Sequence, residues 1–258
     1  MQKRVITLFI MLLFVISVRT AWASTFTETI QFGSQEQIAQ MLKKNPGLLN
    51  KKDDRGFTPL HWAIQFTRKD IAEYLIERGA QLDALNKRGR SPMHIAAVVG
   101  NKELVELLLS KGAQVDTLGG GRETPLFSAI KHKKEDVAIY LMERGADVCS
   151  IDNLLNTPLH YASISGNLTL INKLVEKRAD INATNIYGET PLLLAASYGR
   201  PEAVRLLLSN GADQALRDVR GRTPLDWATE SMLINKNTEA GRYEDFRKTV
   251  DILKQSKN

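Results

Sequence analysis

A chain of 258 residues, 43% hydrophobic and 25% charged, is long enough to bury a real core and too apolar for a disordered one. Its 17 glycines and 8 prolines exclude a collagen composition, and its one cysteine, Cys149, excludes an internal disulfide or a multi-thiolate zinc site. The formal net charge of +6 points to an anionic partner such as nucleic acid or a membrane surface, subject to where the charges sit.

Residues 1–23 read as an export signal. Lys3 and Arg4 form a short positive region, residues 5–18 are apolar apart from Thr7 and Ser17, and Ala21-Trp22-Ala23 offers small residues where a signal peptidase reads. Cleavage is expected before Ser24. A stretch of 14 apolar residues ended by Arg19 is short of the roughly 20 that a helical span needs, so no membrane span is expected after cleavage. There is neither a cysteine for lipid attachment near this site nor an Arg-Arg pair. The mature chain is therefore placed in a bacterial periplasm, with full secretion as the alternative. Losing Lys3, Arg4 and Arg19 lowers the net charge from +6 to +3, which removes most of the support for nucleic acid.

The remainder is periodic. Pro59, Pro92, Pro125, Pro158, Pro191 and Pro224 stand 33 residues apart, and Leu42, Leu75, Leu108, Leu141, Leu174 and Leu207 keep the same interval. Gly79, Gly112, Gly145 and Gly211 follow it too, with Arg178 breaking the series. A period of this size means one supersecondary unit stacked on copies of itself. In each unit a Thr or Ser can cap a helix that starts on Pro, whose missing N–H costs nothing at that position. A second helix follows, as over residues 102–111, where Leu104, Val105, Leu108 and Leu109 have helical spacing. Gly112 then takes the left-handed C-cap slot, and a polar turn leads to the next repeat.

Thr58-Pro59-Leu60-His61-Trp62-Ala63, Ser91-Pro92-Met93-His94-Ile95-Ala96 and Thr157-Pro158-Leu159-His160-Tyr161-Ala162 closely resemble the signature of the ankyrin-repeat family. Thr124-Pro125-Leu126-Phe127, Thr190-Pro191-Leu192-Leu193 and Thr223-Pro224-Leu225-Asp226 lack its His. The resemblance covers roughly residues 34–230. It implies an all-α solenoid of stacked helix-turn-helix units with projecting β-hairpin-like fingers, and no particular ligand. The expected organisation is a signal over 1–23, an N-terminal half-repeat cap over 24–52, six repeats over 53–232, and an extended loop with a C-terminal capping helix over 233–258. Residues 34–50 look like only the second half of a repeat, and 233–242 like an enlarged loop.

Candidate chemistry is sparse. His61, His94 and His160 stand on separate repeats, too far apart to share a metal, and the resemblance gives this His a role in holding its own turn. Gly119-Gly120-Gly121 lacks the frame of a phosphate loop, and Cys149 has no His beside it in sequence. No catalytic residue, metal site or cofactor is assigned. The stretch around 235–245, with Glu239, Tyr243, Glu244 and Asp245, is the most plausible place for a hydrolase-type site and carries no recognised signature.

What remains is surface. Solenoids bind along an extended concave face, which the resemblance builds from first helices and fingers. The third residue after each Pro is Trp62, Ile95, Ser128, Tyr161, Leu194 and Trp227, with Phe66 and Tyr198 one helical turn beyond two of them. We expect Trp62, Phe66, Ile95, Tyr161, Leu194, Tyr198 and Trp227 to form a partner-binding row. Arg55, Lys87, Arg88, Arg90 and Arg122 make the early fingers basic, while Leu154, Leu155, Ile186 and Tyr187 make later ones apolar. The expected function is non-catalytic recognition of a protein carrying an acidic segment, by a monomer that binds no nucleic acid. The alternative is a secreted effector of a host-associated bacterium that engages host proteins.

Overall fold

The computed structural model describes residues 25–236 and 240–256; the expected signal segment lies outside them. The described residues form helices and turns with no strand among them. They divide into two compact units, one ending at Gln114 and one starting at Val115.

The first unit holds α1 (residues 25–32), α2 (Gln35–Lys44), α3 (Pro59–Gln65), α4 (Lys69–Glu77), α5 (Pro92–Val99) and α6 (Lys102–Ser110). The expected half-repeat is in fact a helix pair. α1 buries Phe26 and Ile30 where a first helix belongs, and Arg68 clamps its end by donating to the carbonyls of Ile30, Gln31 and Gly33 at 3.0–3.2 Å. Without the Thr-Pro start, this helix carried no repeat signature.

The second unit holds α7 (Pro125–Lys131), α8 (Glu135–Glu143), α9 (Pro158–Ser165), α10 (Leu168–Glu176), α11 (Pro191–Ser197), α12 (Pro201–Ser209), α13 (Pro224–Ile234) and α14 (Ala240–Gln255). Half of the expected loop over 233–242 is helical: α13 runs on to Ile234 and α14 begins at Ala240, with residues 237–239 outside the described set. α14 buries Phe246, Thr249, Val250 and Leu253. The Phe246 ring lies so close to Gly199 that a Cβ there would stand 2.8 Å from it.

Local chemistry explains why each first helix starts where it does. At Thr58 the hydroxyl accepts from the His61 N–H, while His61 Nδ1 accepts from the Thr58 N–H at 3.1 Å, a capping box with His in the usual Glu position. Asp226 plays the same part for Thr223 at 2.8 Å. Where Phe127 replaces the His, the buried Thr124 hydroxyl has no partner among the described residues. The histidine also reaches forward: His61 Nε2–H donates to the Arg90 carbonyl, and His160 to that of Glu189, both at 3.0 Å. Burial then drives the His61 imidazole down to about 4, only partly offset by the Arg90 carbonyl.

The repeated leucines line the core, with Leu75, Leu108, Leu141, Leu174 and Leu207 fully buried. Each such side chain contributes roughly 1.5–3 kcal/mol by leaving water. The second helices end on left-handed residues, Gly79, Gly112, Gly145 and Gly211, and Arg178 holds the same conformation at φ +66°.

Candidate functional site

The fingers are five-residue turns, each closed by a hydrogen bond from the first residue's N–H to the fifth residue's carbonyl. Asp53 to Phe57, Asn86 to Arg90, Asp152 to Asn156, Asn185 to Glu189 and Asp218 to Arg222 span 2.9–3.1 Å. The first side chain locks the turn from inside. Asp53 Oδ1 accepts from the N–H groups of Arg55 and Phe57, and Asn86 Oδ1 from those of Arg88 and Arg90. Neighbouring fingers are then tied by a backbone bond, Lys87 N–H to Arg55 in the first unit and Ile186 N–H to Leu154 in the second, both at 3.0 Å. The hairpin-like shape is present, but one bond between fingers makes no sheet.

Nine residues after the locking residue comes the expected aromatic row, and the two are joined. Trp62 Nε1–H donates to Asp53 at 3.2 Å, Tyr161 O–H to Asp152 at 2.6 Å and Trp227 Nε1–H to Asp218 at 3.0 Å. Burial alone would raise the Asp152 carboxyl; the hydrogen bonds from Tyr161, Asn156 and Leu154 outweigh it and hold it below the usual carboxylate range. The same burial, with the Asp152 charge, pushes the Tyr161 phenol up. Where the row carries Ile95 or Leu194, the locking residue is Asn86 or Asn185, which asks for no donor from it.

A cation lies over each of these rings. Arg55 lies 4.5 Å from the Trp62 ring centre, Lys131 4.7 Å from Tyr161 and Arg222 3.7 Å from Trp227. Lys131 is also paired with Glu123 at 2.6 Å, and Arg222 with Asp218 and Glu230 at 2.8 and 3.2 Å. Arg55 has no carboxylate partner among the described residues.

Each unit has a cleft between its fingers and first helices. In the first, about 350 Å³ is lined by Arg55, Lys87, Arg88, Arg90 and Asp54, over Phe57 and Ile95. In the second, about 470 Å³ is lined chiefly by Leu154, Tyr161, Tyr187, Leu194, Tyr198 and Trp227.

The expected binding row is thus divided. Ile95 is 2% exposed and Leu194 7%, so these two form cleft floor and core rather than a free surface. Trp62, 9% exposed, is wedged between Phe57 and Phe66, and its ring stacks on half-buried Phe66 at 5.1 Å. Tyr161 and Trp227 are half-buried with their polar tips used internally. Tyr198 stays 45% exposed. The reason is that an aromatic with a polar tip satisfies a buried finger carboxylate, and doing so draws its ring inward. The fingers keep their expected exposure at Arg55, Lys87, Arg88, Arg122 and Tyr187, with Arg90 half-buried. The sequence reading missed the Asp–ring–cation sets; the constant interval of nine residues between Asp and Trp or Tyr was the available signal.

The remaining candidates have ordinary settings. Glu244 is paired with Arg247 at 2.8 Å along α14, and Glu239 lies outside the described residues. Cys149 is exposed. Among the described residues no group of His, Cys, Asp and Glu is gathered as a metal site would require, and no helix is long and apolar enough to cross a membrane.

Comparison with known proteins matches this arrangement of finger and helix pair to one family. A model of ankyrin repeats in three copies matches residues 26–119, 79–152, 118–185 and 159–243. The DNA-binding protein RFXANK of Homo sapiens is 42% identical over 43 residues, which is 17% of this chain and 16% of that protein's length. The crystal structure of the ankyrin repeat domain of Bcl-3, a member of the IkappaB protein family, superposes with a TM-score of 0.72 at 23% identity, over 89% of this chain and 97% of the other. At that identity the likeness speaks for the fold.

Proposed function

The chain belongs to the ankyrin-repeat family, and from that premise we propose that it is a non-catalytic scaffold that grips a protein partner with its fingers and the cleft walls behind them. The observation that carries this reading is the apolar display on the second unit's fingers. Leu154, Leu155, Ile186, Tyr187 and Val219 are 42–70% exposed, although turns normally present polar groups. Apolar side chains held at turn tips add nothing to the unit's own core, and aromatic residues in such patches are the usual interface anchors. The basic fingers of the first unit supply a complementary feature, suited to an acidic stretch of the partner.

The expected export signal makes this partner an extracytoplasmic one, in a periplasm or beyond it. Cleavage before Ser24 would leave the buried Phe26 and Ile30 of α1 in place. Fractionation into medium, periplasm and cytoplasm tests the location, and a protein retained in the cytoplasm would end that part of the reading.

The scaffold itself is tested by a photo-reactive residue placed at Tyr187 or Tyr198, with exposed Glu176 on α10 as control. The expected result is a discrete cross-linked protein from the first two positions and none from the third. Equal labelling from all three, or none from any, would defeat it.

A further inference from the structure

We infer that the cleft between the first two fingers is a carboxylate-binding site, built to receive an acidic side chain from an extended segment of the partner protein. The inference rests on the scaffold reading and adds the chemistry of what is bound.

Two groups in the first unit lack acceptors that their counterparts in the second unit possess. The first is the side-chain amide of Asn86. Its Oδ1 is used by the N–H groups of Arg88 and Arg90, which fixes the orientation of the amide and leaves Nδ2 as a donor. That Nδ2 is buried, in a residue only 5% exposed, and has no partner among the described residues. An unmet buried donor is costly and uncommon, and it calls for an explanation.

Asn185 occupies the same place in its own finger and supplies the comparison. Its Nδ2 donates to Glu189 Oε2 at 2.9 Å and to Asn156 Oδ1 at 3.0 Å. At the position equivalent to Glu189, four residues after the locking Asn, the earlier finger has Arg90. At the position equivalent to Asn156 it has Phe57. Both acceptors are gone, and a cation stands where the carboxylate would be.

The second group is Arg55. Lys131 and Arg222, which lie over rings in the same manner, each carry a carboxylate partner, and among the described residues Arg55 does not. Arg55, Lys87, Arg88 and Arg90 line this one cleft together with Asn86, opposed only by Asp54. A carboxylate entering here would take the role that Glu189 plays for Asn185, and would find Arg forks suited to bidentate pairing. Phe57 and Ile95 offer an apolar floor for the methylenes of a Glu side chain or for an adjacent apolar residue. A side-chain carboxylate is favoured over a nucleic-acid phosphate because the internal counterpart of the missing acceptor is itself a carboxylate.

The test is an NMR titration of the full mature chain with a capped polyglutamate peptide, following the Asn86 side-chain amide. Capped polyglutamine and an oligothymidylate serve as comparison probes. The expected result is a saturable shift of the Asn86 amide with polyglutamate alone. Asn86→Asp keeps the turn-locking oxygen, as Asp53, Asp152 and Asp218 do, and removes the donor; it should weaken polyglutamate binding by more than about tenfold. Arg90→Glu should rebuild the Glu189–Asn185 pair internally, abolishing binding while raising the melting temperature by about 2–4 °C. Charge reversal at an ordinary surface patch would lose binding without that rise.

An Asn86 amide that stays still at saturating polyglutamate would overturn the proposal, as would polyglutamine binding equally well. Tighter oligothymidylate binding that moves the same amide would replace it with a nucleic-acid site. The cross-linking at Tyr187 and Tyr198 is read on the other unit, so loss of the scaffold reading and loss of the carboxylate site are separate results.

Discussion

Tyr161 donates its phenolic proton to Asp152 at 2.6 Å, across nine residues, and in doing so fastens a finger to the first helix of its own repeat. The contact repeats with an indole in place of the phenol at Trp62 with Asp53 and Trp227 with Asp218. It makes internal fastenings of Trp62, Tyr161 and Trp227, three members of the expected recognition row. Tyr161→Phe should therefore cost about 1.5–3 kcal/mol, the range for a hydrogen bond to a charged group, with little loss of packed area. Urea denaturation measures the cost. The Asp152 carboxyl, now held low, should rise towards its ordinary value in the variant, and carbon-detected NMR titration reads that change. A variant as stable as the parent would show the bond to be idle.

Stability should depend on pH through His61. Its folded-state value is lowered to about 4 from 6.5, so the unfolded chain binds more protons between those limits. Stability is then fully present above about 6.5 and is lost as pH falls towards 4, by roughly 2–3 kcal/mol from this side chain. His160, also lowered by burial, adds a loss of the same sign. Denaturation at a series of pH values from 7.5 to 4.5 should show the decline, and His61→Gln should flatten it.

Five non-glycine residues among those described stand where the fold requires a left-handed backbone: Arg178 at φ +66°, Arg122 at +61°, Leu155 at +60°, Lys133 at +57° and Thr67 at +56°. At the sites equivalent to Arg178, a Cβ on Gly79, Gly112, Gly145 or Gly211 would meet nothing within 4 Å, so conformation and not crowding is what favours glycine. Arg178→Gly should stabilise by about 1 kcal/mol, seen as a rise of about 2–4 °C in melting temperature. Gly56→Ala should do the reverse and more strongly, because its Cβ would stand 2.7 Å from the Lys87 nitrogen at φ +77°.

The end of the N-terminal helix is capped by one side chain, that of Arg68. Arg68→Ala removes three hydrogen bonds to the end of α1 and the ion pair with Asp70 at 2.9 Å. Exposed ion pairs contribute little, so the carbonyl contacts should dominate. Amide exchange over residues 25–33 should accelerate by about tenfold or more, while exchange in α3 and α5 stays near the parent's. Uniform acceleration through the first unit would mean that Arg68 supports more than the cap.

The repeat, its helix starts and its leucine core were legible because their causes are local. Thr58 and His61 are three residues apart, and Leu104, Val105 and Leu108 fall on one helical face. α1 escaped notice because residues 25–32 lack that start, and the loop over 233–242 was overdrawn because α13 outruns its siblings. The surface was less legible. Tryptophan and tyrosine at the third place after proline fit an exposed anchor and a buried fastening equally well.

By itself, then, the amino-acid sequence determined the family, the period and the capping chemistry, since short-range spacing is enough for a helix pair to form and stack. Its net charge of +6 is a sum over the whole chain, whereas the basic fingers gain meaning only one at a time. Tertiary structure alone decided which aromatic rings were turned inward and which donors were left unmet. Asn86 and Asn185 are the same residue in equivalent turns, yet among the described residues the amide of Asn185 is satisfied and that of Asn86 is not. Their difference lies in what folding brings against them, Phe57 and Arg90 on one side, Asn156 and Glu189 on the other. Hydrogen-bond satisfaction is a property of neighbours in space, and only the folded chain assembles those neighbours.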